Sequence, residues 1–142
     1  MPRWHRALPL ARNQNVEPMN TSFPTPTTKQ RGDAAEQRAL RHLLDHGLTL
    51  VACNYRTPGR GGGEIDLIVR ESDGTLVFVE VRARAREDFG GAGASISATK
   101  RKRIVFAASH FLRRYRTCPA CRFDVVLLQA NNLVWHKAAF EA

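Results

Sequence analysis

The strongest fold signal in the sequence is a hairpin pattern from Gly63 to Arg84, the stretch GEIDLIVRESDGTLVFVEVRAR. Two runs rich in Val, Ile, Leu and Phe flank the turn sequence ESDGT, as expected for a pair of antiparallel β-strands. Each run nevertheless contains a carboxylate, Asp66 in the first and Glu80 in the second. Acidic residues are depleted in strands, so these two need a physical reason.

The loop length decides which residues of the two strands face each other. A two-residue loop would mix Val with carboxylates on both faces, whereas a three-residue loop over 72–74 leaves one face wholly apolar. We therefore predict the three-residue loop, which places Asp66 opposite Glu80 and Glu64 opposite Arg82 on the other face. For Glu64, an ion pair with Arg82 and contact with a metal both remain open. The apolar face consists of Ile65, Leu67, Val69, Val77, Val79 and Val81.

Two opposed carboxylates destabilise a hairpin unless positive charge lies between them. A hard divalent cation such as Mg²⁺, which takes oxygen ligands and keeps several waters, would meet that need. The alternative is an ordinary ionic cluster in which Asp66 and Glu80 pair with basic neighbours, namely Arg82, Arg84 or Lys100.

Two helices and an unstructured tail are predicted outside the hairpin. The first helix begins near residue 32 and ends at a capping glycine at 47, and an amphipathic second helix covers about 98–116. Residues 1–30 are polar, contain prolines and show no periodic pattern. We therefore predict a disordered N-terminal tail followed by one folded domain over 31–142.

Three further strands complete the predicted order, αβββαββ. They cover about 48–56, 121–129 and 133–138, and the last two are joined by a tight turn at Asn131-Asn132. A Gly-rich loop, PGRGGG, joins the first strand to the hairpin. The order indicates an α/β domain.

The charge balance predicts a polyanionic partner. The 142 residues contain 22 Lys and Arg against 13 acids, which gives a net charge of +9. Such a charge favours nucleic acid, although a generally basic surface is the alternative. Three cysteines without a secretion signal predict a reducing, cytoplasmic location. No run reaches the roughly 18 apolar residues that would cross a membrane, so no membrane partner is expected.

Basic residues open the second helix, where the run KRKR consists of Lys100, Arg101, Lys102 and Arg103. Positive charge at a helix start opposes the macrodipole, and a bound anion would remove that conflict. The segment 89–123 contains eight Lys or Arg and no acid. We predict contact with a DNA or RNA backbone here, and a solvated basic face is the alternative.

Several motifs occur in an order that resembles a known family. Between about residues 29 and 137 they are GDAAEQRAL, NYR, GEIDLI, FVEVRAR, SATKRKRI and CRFDVV. The chain resembles the YraN-type family of small bacterial proteins of uncharacterised function. GEIDLIV followed by LVFVEVRAR is similar to the PD-(D/E)xK core of restriction-endonuclease-like enzymes. The resemblance implies a mixed β-sheet flanked by helices and a metal-dependent nuclease that acts on DNA.

The resemblance also implies a site. Asp66 and Glu80 would bind Mg²⁺ or Mn²⁺, and Glu36 on the first helix would complete the metal site. Arg82 occupies the position of the motif lysine, which orients or activates water and stabilises phosphate charge. Arginine matches phosphate geometry but cannot act as a base. A non-catalytic nucleic-acid-binding module is therefore the alternative to an enzyme.

The resulting prediction is a Mg²⁺-dependent endonuclease for DNA, including branched or flapped DNA. Related nuclease folds often dimerise to cut two strands, so a homodimer is the candidate assembly. The predicted catalytic residues are Asp66, Glu80, Arg82 and Glu36. The predicted nucleic-acid-binding residues are Lys100, Arg101, Lys102, Arg103 and Arg84.

Overall fold

A computed structural model describes residues 24–84 and 96–142 of the chain. The described elements follow the predicted order αβββαββ, which confirms the α/β class. They are α1 (Thr28–Asp45), β1 (Thr49–Arg56), β2 (Glu64–Arg70), β3 (Leu76–Arg84), α2 (Ala98–Leu112), β4 (Cys121–Gln129) and β5 (Asn132–Phe140). Residues 1–23 of the predicted disordered tail lie outside the described residues, so that part stays a prediction.

The strands form a five-stranded sheet in the order β1-β2-β3-β4-β5. Each neighbouring pair is antiparallel except β3 and β4, which are parallel. A parallel pair needs a long crossover connection, and α2 lies in the connection between these two strands. The sheet is therefore mixed, as expected. No helix in the described ranges is long and apolar enough to cross a membrane.

The two helices cover opposite faces of the sheet. On β3, Val77 and Val79 belong to an apolar cluster with Leu43 of α1. Phe78, which lies between them, belongs to a second cluster with Phe111 of α2. Because successive residues of a strand point to opposite faces, this division places one helix on each side of the sheet.

The β2–β3 hairpin has the predicted register. Leu67 pairs with Val79, and Asp66 and Glu80 each lie one residue farther from the turn than this pair. The loop is closed by a hydrogen bond from Glu71 N–H to the carbonyl oxygen of Thr75, 2.9 Å long. Gly74 takes the left-handed conformation that this three-residue loop requires, with φ of 92°.

One residue of the predicted apolar face lies on the other side of the sheet. Ile65 packs in the cluster beneath α2, whereas Leu67 and Val69 pack against α1. Strict alternation would place all three together, so the prediction was wrong for Ile65. The neighbouring strand is irregular at the same place, since Asn54 of β1 has a φ of 51°.

The first helix begins earlier than predicted, at Thr28 rather than near Gly32. A capping box fixes this start: Thr27 Oγ1 accepts a hydrogen bond from Gln30 N–H, and Gln30 Oε1 accepts one from Thr27 N–H, at 3.2 and 2.8 Å. The signal was present in the sequence as a Thr three residues before a Gln. The predicted end is confirmed, since Gly47 follows the helix with a φ of 89°.

Two later boundaries also differ from the prediction. The second helix ends at Leu112, short of the predicted end at residue 116. The turn between the last two strands is Ala130-Asn131 rather than Asn131-Asn132, because Gln129 and Asn132 pair with each other. Neither change alters the face that α2 presents to the sheet, which contains Ile104, Ala107, Ala108 and Phe111.

Candidate functional site

The two hairpin carboxylates lie where β2 and β3 stop pairing. The ladder between these strands ends at Leu67 and Val79, while β3 continues along β4. Beyond the last pair, Asp66 Oδ2 accepts a hydrogen bond of 2.9 Å from Val81 N–H. The Asp66 side chain thus accepts the hydrogen bond that a backbone carbonyl of a paired strand would otherwise accept. Its donor, Val81, directly follows Glu80 in β3.

Glu80 is a buried acid with an incomplete set of partners. Its residue is only 6% exposed, and its Oε1 lies 3.4 Å from Lys100 Nζ. Its Oε2 is buried and has no hydrogen-bond partner among the described residues. Burial and the negative charge of Asp66 raise the pKa of Glu80 to about 7. Buried polar atoms normally have a partner, and a proton held between Glu80 and Asp66 or a bound ligand would supply one.

Asp66 shares the same electrostatic environment. Burial raises its pKa, while the hydrogen bond from Val81 acts in the opposite direction. Two carboxylates this close do not both remain ionised without compensation. Near neutral pH the pair therefore shares a proton.

Glu36 of α1 lies near the carboxylate pair from the other side of the sheet. Its pKa is raised by burial and by the negative charge of Asp66, and a hydrogen bond from Asn54 opposes the shift. The structure thus brings Glu36 close enough to Asp66 for their charges to interact. Within the described ranges, however, no group of three or more His, Cys, Asp and Glu side chains is arranged to hold a metal.

Glu64 has a partner that the hairpin register did not reveal. Its Oε1 lies 3.4 Å from Arg56 Nη2, and both side chains are exposed. The two residues face each other across β1 and β2. The ion pair between Glu64 and Arg82 is therefore replaced by one with Arg56, because β2 has a neighbouring strand on each side.

The basic run at the start of α2 divides into different environments. Lys100 contacts the carboxylate pair, and Arg103, one turn later, lines a polar cavity together with it. The guanidinium of Arg101 lies over the Phe140 ring, 5.7 Å from its centroid. Lys102 is exposed to solvent. Of the four, Lys100 and Arg103 thus face the candidate site, as residues three apart on a helix do.

Arg82 makes no ion pair with Asp66 or Glu80 among the described residues, so it is not the cation of the ionic cluster considered from the sequence. Its Nε is buried and has no hydrogen-bond partner among the described residues. The cation that pairs with Glu80 is Lys100, another of the basic residues considered for that cluster. Arg84 ends β3, but its side chain lies outside the described residues, so its predicted contact with nucleic acid stays a prediction.

A second buried acid, Asp124 of β4, was missed by the sequence reasoning. It is 0% exposed, and both of its oxygens have partners. Oδ1 accepts from Arg122 Nε and Ala138 N–H, and Oδ2 accepts from Arg122 Nη2 and Trp135 Nε1, all between 2.8 and 3.0 Å. Full satisfaction makes Asp124 a structural acid, in contrast to Glu80.

Together these features define a class of α/β protein, one in which a buried and a partly buried carboxylate lie where two strands separate, with a basic helix beside them. The chain belongs to the uncharacterised protein family UPF0102, whose profile matches residues 35–128. That range includes Glu36, Asp66, Glu80 and Lys100. The YraN-type resemblance is therefore confirmed at the level of the family.

Similar proteins occur in several bacteria. A UPF0102 protein of Albidiferax ferrireducens is 65% identical over 116 residues, which cover 82% of this chain and 91% of the relative. One of Paracidovorax citrulli is 64% identical over 116 residues, covering 82% and 86%. One of Methylibium petroleiphilum is 54% identical over 119 residues, covering 82% and 98%. The likeness thus extends over nearly the whole length of each relative.

Proposed function

We propose that this protein is a metal-dependent nuclease of the PD-(D/E)xK type that hydrolyses phosphodiester bonds in DNA, including branched or flapped DNA. The observation that carries the proposal is the buried Glu80 carboxylate, whose Oε2 has no partner in the described part of the chain and which lies beside Asp66. Strongly perturbed acids at an incompletely satisfied position are typical of functional sites.

The donor atoms suit Mg²⁺ or Mn²⁺. Mg²⁺ is commonly bound through one or two carboxylates, with waters and substrate phosphate completing its octahedron. Asp66 and Glu80 would supply the two carboxylates, and Glu36 would add negative charge near the ion without being arranged as a third ligand. The bound ion would polarise the phosphate and lower the pKa of the attacking water.

Arg82 occupies the position of the motif lysine, so that position has no amine. Lys100 supplies an amine at the site in its place. Its ammonium lies 3.4 Å from Glu80 Oε1, so it sits at the carboxylate pair although it comes from α2. In the proposed reaction Lys100 stabilises the negative charge that develops on the scissile phosphate. Arg82 binds a phosphate oxygen through its planar guanidinium, which offers parallel N–H donors.

A non-catalytic nucleic-acid-binding module is the second candidate, and Arg82 favours it. An arginine cannot take a proton from water, so the strand position that usually helps to activate water here only binds charge. The basic start of α2 would serve a binding protein equally well. For an enzyme that cuts both strands of a duplex, a homodimer would supply the second site.

The deciding experiment follows labelled linear, flapped and four-way-junction DNA with Mg²⁺, with Mn²⁺ and with a chelator. The wild-type protein is compared with an Asp66→Asn/Glu80→Gln double variant and with Asp73→Asn, a control acid in the turn of the same hairpin. Metal-dependent cleavage that is lost only in the double variant supports the enzyme. Binding without cleavage under every condition supports the module instead. If the protein neither cleaves nor shifts DNA at moderate salt, both proposals are wrong.

A further inference from the structure

A polar cavity of about 380 Å³ lies between the β1–β2 loop and the first turns of α2. The glycines of loop 59–63 form one wall, and the charged or polar side chains that line it are Arg56, Thr57, Glu64, Lys100 and Arg103. No aliphatic or aromatic side chain of the described residues lines the cavity. It therefore offers charge and hydrogen bonds, but no aromatic ring on which a nucleobase could stack.

The loop is held in place by its own hydrogen bonds. Gly63 N–H donates to Thr57 Oγ1 at 2.8 Å, and Thr57 N–H donates to the Gly63 carbonyl oxygen at 3.1 Å. Gly59 and Gly61 adopt left-handed conformations, with φ of 88° and 74°. Such glycine-rich turns expose their peptide groups to a ligand without interference from side chains.

The loop also packs directly on α2. A Cβ atom added at Gly63 would lie 1.9 Å from the carbonyl oxygen of Arg103, so only glycine allows this approach. The two walls of the cavity are therefore fixed relative to each other. A preorganised site of this kind binds a ligand without the cost of ordering a loop.

The charge of the cavity is positive. Glu64 is paired with Arg56, and Lys100 is shared with Glu80 of the carboxylate pair. Arg103 makes no ion pair with any residue in the described ranges. A guanidinium and an ammonium beside exposed peptide groups are the groups that recognise phosphate.

We propose that this cavity binds a phosphate group of the nucleic acid, next to the phosphate that is cleaved; this assignment rests on the proposed nuclease function. Lys100 belongs to both places, since it lines the cavity and contacts Glu80. The bound group is either an internal phosphate of the strand or a terminal phosphate at a nick or flap. Because a phosphate carries no base identity, the cavity sets the position of the strand and not its sequence.

The test measures binding of the full chain in chelator, which suppresses cleavage. Flap DNA carries a neutral methylphosphonate at one position at a time. At one position the lost charge should weaken binding to the wild-type protein about tenfold. The Arg103→Ala variant should show no such loss there, because the group that senses the charge is gone.

Two further variants control this measurement. Arg103→Lys keeps the charge and should recover most of the sensitivity. Arg41→Ala removes an exposed cation from α1, on the opposite face of the sheet, and should keep the full tenfold loss. Equal losses for wild type and Arg103→Ala at every position would overturn the cavity assignment.

Substrates with a terminal phosphate or a terminal hydroxyl distinguish the two sources of the group. If the loss of binding that depends on Arg103 appears only when a terminal phosphate is removed, the cavity binds a strand end. If it appears at a methylphosphonate within the strand, the cavity binds an internal phosphate. If binding shows the Arg103-dependent loss but the protein never cleaves DNA, the phosphate site stands and the proposed nuclease function is wrong. If the protein cleaves DNA without that loss, the nuclease function stands and the phosphate site is wrong.

Discussion

At the scale of single residues, Glu80 links the stability of the fold to pH. Its pKa is about 7 in the folded protein, against 4.5 for an ordinary glutamate. Between these values the folded state binds more protons than the unfolded state, so the free energy of unfolding falls as pH rises. The stabilisation from the raised pKa of Glu80 is complete below about pH 4.5 and is lost as pH rises through 7. It corresponds to roughly 3 kcal/mol of unfolding free energy.

The variant Glu80→Gln should remove this dependence, because an amide has no proton to lose in this range. Relative to wild type, the variant should therefore be more stable at pH 8 than at pH 5. Urea unfolding at the two pH values measures the difference directly. The same change in unfolding free energy at both values would show that Glu80 is not protonated in the folded protein near pH 5.

A divalent cation should restore the stability that is lost at high pH, because it replaces the proton at the two carboxylates. Mg²⁺ or Mn²⁺ is expected to raise the Tm of the wild-type protein more at pH 8 than at pH 6, since protons compete for Glu80 at the lower value. The Asp66→Asn/Glu80→Gln variant should show no shift, while Asp73→Asn should respond as wild type does. A shift of the same size in the double variant would locate the ion elsewhere.

Lys100 affects both the chemistry and the pKa of its partner. The positive charge of Lys100 lowers the pKa of Glu80, so Lys100→Ala should raise that pKa further. Loss of a charge donor at the reacting phosphate should lower kcat about 10²–10³-fold. The Glu80 titration is followed by carbon NMR of its carboxyl group, and cleavage is measured on the same sample. An unchanged titration and unchanged kcat would exclude Lys100 from the site.

At the scale of elements, the contact between the glycine-rich loop and α2 controls how the site is assembled. In a Gly63→Ala variant the new Cβ would meet the Arg103 backbone, which cannot move aside as a flexible side chain could. We expect a loss of about 1–3 kcal/mol in unfolding free energy, together with weaker DNA binding. Chemical denaturation and a binding titration on one preparation measure both.

A matched change in α1 provides the control for that variant. Gly32 lies inside the helix, and a Cβ there would meet nothing within 4 Å. Gly32→Ala should therefore stabilise the protein by about 0.5–1 kcal/mol, because alanine is the better helix former. If Gly63→Ala were equally harmless, the close packing of the loop on the helix would be wrong.

The sequence predicts elements well where a local pattern decides them. The register of β2 and β3 follows from the apolar alternation and from the turn, and the pairing of Leu67 with Val79 confirms it. The face of Ile65 could not be predicted, because it depends on the irregular course of the neighbouring strand around Asn54. The partner of Glu64 was missed for a similar reason, since β1 and β3 offered competing basic residues.

At the scale of the whole molecule, the site depends on contacts between distant segments. The KRKR run was recognisable as basic, but the residue that reaches Glu80 is set by how α2 crosses the sheet. Hydrophobic periodicity gives the buried face of a helix and not the partner of each residue at its edge. The identity of Lys100 as the partner of Glu80 therefore required the tertiary structure.

The network around Asp124 also joins segments that are far apart in the sequence. Arg122 bridges Asp124 and Glu71, and thereby ties β4 to the end of β2, while Trp135 and Ala138 tie Asp124 to β5. Asp124→Ala would leave several partly buried donors without this acceptor. Breaking such a pair costs about 3–5 kcal/mol, which is a large part of the stability of a small domain.

The partly exposed end of the same network gives the comparison. Glu71 also pairs with Arg122, at 2.7 Å, but its side chain is 26% exposed and water can replace it. Glu71→Ala should therefore cost no more than about 1 kcal/mol. Urea unfolding of the two variants beside wild type measures the difference. If Asp124→Ala lost as little stability as Glu71→Ala, the four hydrogen bonds of Asp124 would not hold the β4–β5 end of the sheet together.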